Sequence, residues 1–222
     1  MKRMQSYSIV RMTTLAVLTA VVLVLQLTGT TIRIPFLSTS VSLVLIPITL
    51  GAILLGPLAG AFLGLVFGAV VFVSGGVLGM DPFTLLLFQQ HPIITAGICL
   101  LKSTLAGFLA GLAYRLLCPR KDVNAEENKN NSFGKISRSL LAVFVAAAVT
   151  PIVNTGVFIL GCFLIIDSIN AYISMVGLDW SPMYFLFIGC AGINFIFEFV
   201  VNMIFSPAIE RIVRVVGKRM RL

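Results

Sequence analysis

Charge is scarce in this chain. Only 11% of its 222 residues are Asp, Glu, Lys or Arg, against 59% hydrophobic residues. That balance lies well outside the range of soluble domains and excludes a water-exposed globular fold. A single histidine, His91, excludes paired-histidine metal sites. Gly134-Lys135 is followed by Ile136 and lacks the upstream glycine of a phosphate-binding loop, so the chain has no motif for hydrolysing ATP itself. No Ser/His/Asp arrangement stands out, and nothing calls for an enzyme, a metal or a cofactor. Cys99, Cys118, Cys162 and Cys190 lie in or at the ends of apolar segments without ligand spacing. They read as small packing residues. The absence of recurring strand-period alternation argues against a membrane β-barrel.

What the chain has instead is long apolar runs. With roughly 20 residues needed to cross about 30 Å of hydrocarbon, six spans are predicted, at 8–27, 41–55, 57–77, 92–117, 139–166 and 183–206. The expected fold is an all-α integral membrane protein, a compact bundle of six transmembrane helices forming one domain over 1–222. The polar stretch 118–137 is expected to be a flexible cytoplasmic linker. The second span is short and contains Pro47, and Gly56-Pro57 makes a tight turn between it and the third. Gly60, Gly64 and Gly68, and Gly107 with Gly111, are spaced to let helices of this chain approach closely. The first span follows Lys2 and Arg3 like a secretory signal, but no Ala-x-Ala site follows it, so it reads as an uncleaved helix.

The net charge of +8 is a topology signal. Apart from Arg33 and Lys102, every Lys and Arg falls before the second span, at the end of the fourth span or between it and the fifth, or near the C-terminus. The positive-inside rule then puts both termini in the cytoplasm. The basic excess suits anionic lipid, not nucleic acid. Of the outer loops, 28–40 reads as a mobile cover, and 167–182 as a loop whose Tyr172 and Trp180, with Tyr184, suit the aromatic belt at a membrane interface.

Polar residues inside the spans are costly and therefore informative. Lys102 lies about 15 Å below the outer surface at 1.5 Å per residue, and His91 and Thr95 share its helical face. In the sixth span Asn194, Glu198 and Asn202 recur every four residues as one polar stripe. Asn154 lies in the outer half of the fifth. Lys102, Asn194, Asn154, His91, Gln90 and Glu198 are the candidate contacts to a small polar metabolite entering from outside. Lys102 would carry the contact to an anion. The plainer alternative is that Lys102 and Glu198 pair with each other and the asparagines only join helices. Ala16 and Ala20 form a small-xxx-small pair, which on its own indicates helix packing.

The run from Ile46-Pro47-Ile48 through Leu50-Gly51-Ala52 and Gly56-Pro57 to Gly60 and Gly64 resembles the S-components of energy-coupling factor (ECF) vitamin transporters. The six-span layout, Ala16 with Ala20, and the segment from Lys102 to Gly111 are similar as well. The resemblance implies a substrate-binding subunit in the cell membrane that captures a water-soluble vitamin from outside. It implies as partners a transmembrane coupling subunit and two cytoplasmic ATPases, with Ala16 and Ala20 touching the coupling subunit and 28–40 as the gating loop. Within the family, the hairpin run and the segment Thr150 to Gly156 look most like pantothenate S-components, and the carboxylate of pantothenate suits Lys102. Riboflavin, thiamine, a stand-alone ion-coupled permease using Glu198, and a small membrane enzyme or assembly factor are the competing readings.

Overall fold

The computed structural model describes residues 2–29, 43–118 and 132–219. Its helices are α1 (Lys2–Gly29), α2 (Leu45–Leu55), α3 (Pro57–Val71), α4 (Pro82–Gln90), α5 (Pro92–Leu117), α6 (Ser132–Phe163), α7 (Ile166–Val176), α8 (Pro182–Tyr184) and α9 (Ile193–Arg219). A π-helical stretch, Phe72–Val77, extends α3, and a second, Phe185–Gly192, joins α8 to α9. Among the described residues there is no strand. Among the described residues, five segments are long and apolar enough to cross a membrane: Ile9–Thr28, Pro57–Val77, Pro92–Leu117, Arg138–Phe163 and Pro182–Gly217. With the shorter apolar α2 they form the expected all-α, multi-pass membrane bundle of about six helices. The cover expected at 28–40 lies outside the described residues from position 30 onward, as does 119–131 of the expected linker. The rest of that linker differs from expectation, because α6 already begins at Ser132.

The helix boundaries have local causes. Pro57, Pro82, Pro92 and Pro182 each stand at the first turn of a helix, where a missing N–H costs nothing. Asp81 caps α4, accepting from the Thr84 backbone N–H at 3.2 Å and from the Thr84 hydroxyl. The α2–α3 corner turns at Gly56, whose φ of 107° and ψ of 175° disfavour any side chain. Two basic side chains cover the end of α2 there. Arg11 Nη2 donates to the Leu55 carbonyl oxygen at 3.0 Å, and the Arg115 guanidinium lies against Gly56. Cations suit a helix C-terminus because its last carbonyls lack partners within the helix.

The closest packing in the bundle is the antiparallel pair α3–α5. Gly60 meets the backbone of Gly107, Gly64 that of Ser103, Gly68 that of Cys99, and Gly111 that of Pro57. A methyl group at Gly64 would stand 2.6 Å from the Ser103 carbonyl carbon, and one at Gly111 would stand 2.7 Å from Pro57 Cα. Backbone meets backbone at four places along about three turns. Between α2 and α6, the buried hydroxyls of Thr49 and Thr150 approach to 2.7 Å.

Two short helices stand where connecting segments were expected. α4 occupies part of the segment between the third and fourth spans, and α7 occupies most of 167–182. In α7, Ile169, Tyr172 and Ile173 fall at helical spacing on one buried face. Tyr172 is thus not part of an interfacial belt: it is 7% exposed and packs edge-to-face on Phe83 of α4, with ring centroids 5.0 Å apart. Trp180 and Tyr184 remain exposed and pack together in a T at 4.9 Å. Phe83, Leu87, Ile98, Ile169, Tyr172 and Phe185 belong to one apolar cluster at the bundle end opposite Gly56.

Gly64→Leu should therefore destabilise the bundle by at least about 1–3 kcal/mol, since the facing Ser103 backbone cannot yield as a side chain would. Gly97→Ala is the control, because a Cβ there meets nothing within 4 Å. Thermal unfolding in detergent measures both. Equal midpoints for Gly64→Leu and the parent would contradict the close α3–α5 contact.

Candidate functional site

The polar residues of the bundle gather on three helices. α5 is flush with α3 along its glycine face, and this contact sets its rotation. Ser103 presses its backbone on Gly64, while its hydroxyl reaches Asn154 of α6, donating to Oδ1 at 3.5 Å. The adjacent Lys102 turns towards the same helix. Its ammonium lies over the Phe158 ring, 4.9 Å from the centroid, a cation–π contact with a desolvated face. Phe158 in turn packs on Phe83, with centroids 6.3 Å apart. The aromatic cluster formed with α4 and α7 therefore roofs the Lys102 side chain.

α9 supplies the opposite wall. Asn194 Nδ2 donates to Glu198 Oε1 at 3.3 Å, and Asn202 Nδ2 donates to the Glu198 backbone carbonyl at 2.8 Å. The Ser206 hydroxyl continues the series by donating to the Asn202 carbonyl at 2.9 Å. Glu198 is 2% exposed and Asn202 1%, so the stripe faces protein along its length. The side chain of Asn154 lies beside the Glu198 carboxyl group, and Lys102 is near enough to act on it electrostatically.

These contacts bear on the pairing of Lys102 with Glu198. Among the described residues, the ion pair formed is Glu210–Arg214, one turn apart near the C-terminal end of α9, and Lys102 has no carboxylate within 4 Å. Lys102 and Glu198 thus share a neighbourhood without bonding to each other. Five buried side-chain atoms also lack a protein partner: Thr95 Oγ1, Ser168 Oγ, Asn194 Oδ1, Glu198 Oε2 and Asn202 Oδ1. Buried polar groups are ordinarily satisfied. Three of these atoms lie on one face of α9.

Two candidates stand apart from this cluster. Gln90 is exposed at the last position of α4. His91 sits between α4 and α5 with φ −137° and ψ 72°, outside helical geometry. The 100°-per-residue phase that places Thr95 and Lys102 on α5 therefore does not extend to His91. Ala16 and Ala20 are both exposed on α1, away from the polar cluster. Ser103 and Phe158 were not singled out from the sequence. Ser103 reads as one more small residue in a glycine-rich helix, and one phenylalanine among 17 carries no positional signal. Among the described residues no group of three or more His, Cys, Asp and Glu side chains is placed to hold a metal ion.

A half-buried cation and a row of acceptors without a hydrogen-bond partner thus lie together among the membrane helices. The family is more specific: the model for the ECF transporter, substrate-specific component, matches residues 10–210, and the chain belongs to that family. It is accordingly a transporter subunit, of a kind that binds a small-molecule substrate and works with a membrane coupling subunit and ATPases. Comparison with the curated proteins and with the solved structures returns no match.

Proposed function

We propose that the chain captures a small anionic vitamin, with pantothenate as the cargo, and delivers it to a coupling subunit that carries two ATPases. The observation behind the anionic cargo is Lys102. Its ammonium is held on an aromatic face in the middle of a membrane helix, with no carboxylate bonded to it. A half-buried charge within a membrane bundle is costly unless it meets an opposite one, and a cargo carboxylate supplies that charge. Asn194, Asn154 and Glu198 supply the polar contacts around it. His91 and Gln90, near the α4–α5 junction, are assigned to the entrance. Pantothenate fits this arrangement through one carboxylate, two hydroxyls and an amide. Riboflavin would need an aromatic stacking surface in the polar cluster, where Phe158 is already covered by Lys102.

The orientation follows from charge. The basic termini and the arginines at the α2–α3 corner face the cytoplasm, and the roof built from α4 and α7 faces outward. α1 is the docking helix. Its Ala16 and Ala20 leave a shallow exposed stripe on which a partner helix can lie closely.

Lys102→Met should weaken pantothenate binding by at least about tenfold, the loss expected for one charge-assisted hydrogen bond. Panthenol, which carries a hydroxyl in place of the carboxylate, should bind the variant and the parent alike. Titration calorimetry on the purified chain reads both. Unchanged pantothenate affinity would make Lys102 a packing residue and remove the argument for an anion. For docking, Ala16→Trp and Ala20→Trp should each abolish uptake by cells while leaving binding to the purified chain intact. Uptake surviving both substitutions would place the coupling subunit elsewhere.

A further inference from the structure

The stripe on α9 has a polarity of its own. The carboxamide of Asn194 turns its NH2 to a carboxylate oxygen of Glu198, and that of Asn202 turns its NH2 to a backbone carbonyl oxygen. The backbone carbonyl accepts only, as does the ionised Glu198 carboxylate, so with Glu198 charged neither amide can be reversed without setting oxygen against oxygen. The groups left over are therefore Asn194 Oδ1 and Asn202 Oδ1, and Glu198 adds Oε2. All three are buried and none makes a hydrogen bond within the protein, although the Asn154 carboxamide lies beside the Glu198 carboxyl group. Donors near them are already committed or directed elsewhere. Ser103 Oγ donates to Asn154, Ser206 Oγ to the Asn202 carbonyl, and the Lys102 ammonium lies over Phe158. The α2 helix packed beside α9 brings Thr49, whose hydroxyl is engaged with Leu45 and Thr150.

We infer that this face of α9, with Asn202 as an element beyond the residues assigned above, recognises a hydrogen-bond-donor end of the cargo. The cargo is thereby bipolar: a carboxylate on Lys102 at one side of the site, and hydroxyl or amine donors on Asn194, Glu198 and Asn202 at the other. The inference rests on the capture function proposed above and narrows its substrate class. A ligand that offers only a carboxylate, or only acceptors, gives the α9 oxygens no donor. Sites built to pair with a substrate hydroxyl reject analogues that lack it.

The test compares pantothenate with an analogue in which both hydroxyls are replaced by hydrogen, by titration calorimetry on the purified full-length chain. The analogue should bind at least about tenfold more weakly. Glu198→Gln, which converts one unpaired acceptor into a donor, should cost pantothenate a similar factor and leave the analogue unaffected. Asn202→Leu should show the same selective loss, and it provides the second variant if Glu198→Gln does not fold. Equal affinity for the two compounds, with tight binding of both, overturns the inference alone and leaves the capture function standing. Losses of equal size for both compounds in the variants assign the stripe to helix packing and also overturn it. Failure of pantothenate to bind the parent chain overturns the pantothenate assignment, and the inference with it, whereas loss of analogue binding alone is the expected result.

Discussion

The backbone contact between α3 and α5 is the constraint from which the site follows. In a membrane the apolar surface of a helix gains nothing by leaving lipid, so helices must associate through close packing and internal hydrogen bonds. The glycines on both helices allow carbonyls and Cα atoms to touch along about three turns, and this fixes the rotation of α5 about its axis. With Ser103 pressed on Gly64, its neighbour Lys102 faces α6 and not lipid. The same rotation brings the Ser103 hydroxyl to Asn154, so the contact that packs α5 also connects it to the polar side of α6.

Around this fixed pair the rest of the bundle is held by softer interactions. α2 reaches α6 through Thr49 and Thr150, and α9 carries its own ladder of hydrogen bonds from Asn194 to Ser206. At one end, Arg11 and Arg115 close the α2–α3 corner. At the other, α4 and α7 cover the polar cluster with packed aromatic rings. Two π-helical stretches adjoin that roof, in the extension of α3 and in the approach to α9. Widened turns of this type occur often at functional sites, because they break the regular ladder and redirect the side chains beside it. The region nearest the polar cluster is therefore the least regular part of the helices.

Much of this was legible from the residues alone. Long uncharged runs declared the spans, and the four-residue glycine spacing identified the surfaces that meet in the α3–α5 pair. The period of Asn194, Glu198 and Asn202 located the polar face of α9, since polar residues are too costly in a span to be scattered without purpose. What escaped has physical reasons. α4 is nine residues long, too short to show a helical period against apolar neighbours on either side. α7 has a clear amphipathic pattern, but its Asp, Asn and Ser residues resemble a loop, and Tyr172 resembles an interfacial anchor until its packing on Phe83 is known. His91 was carried onto the Lys102 face by assuming one unbroken helix, whereas Pro92 starts a new one. The partnership of Lys102 with Phe158 depends on tertiary contact and leaves no mark in sequence spacing.

The central claim is that this chain captures cargo by itself and depends on other subunits for energy. It is tested most directly with radiolabelled pantothenate and liposomes containing only this protein, in the presence and absence of an imposed proton gradient. The account predicts saturable retention of one cargo molecule per chain, unchanged by the gradient and without ATP. Accumulation beyond that ratio, collapsing when the gradient is dissipated, would show a self-sufficient ion-coupled permease and contradict the account.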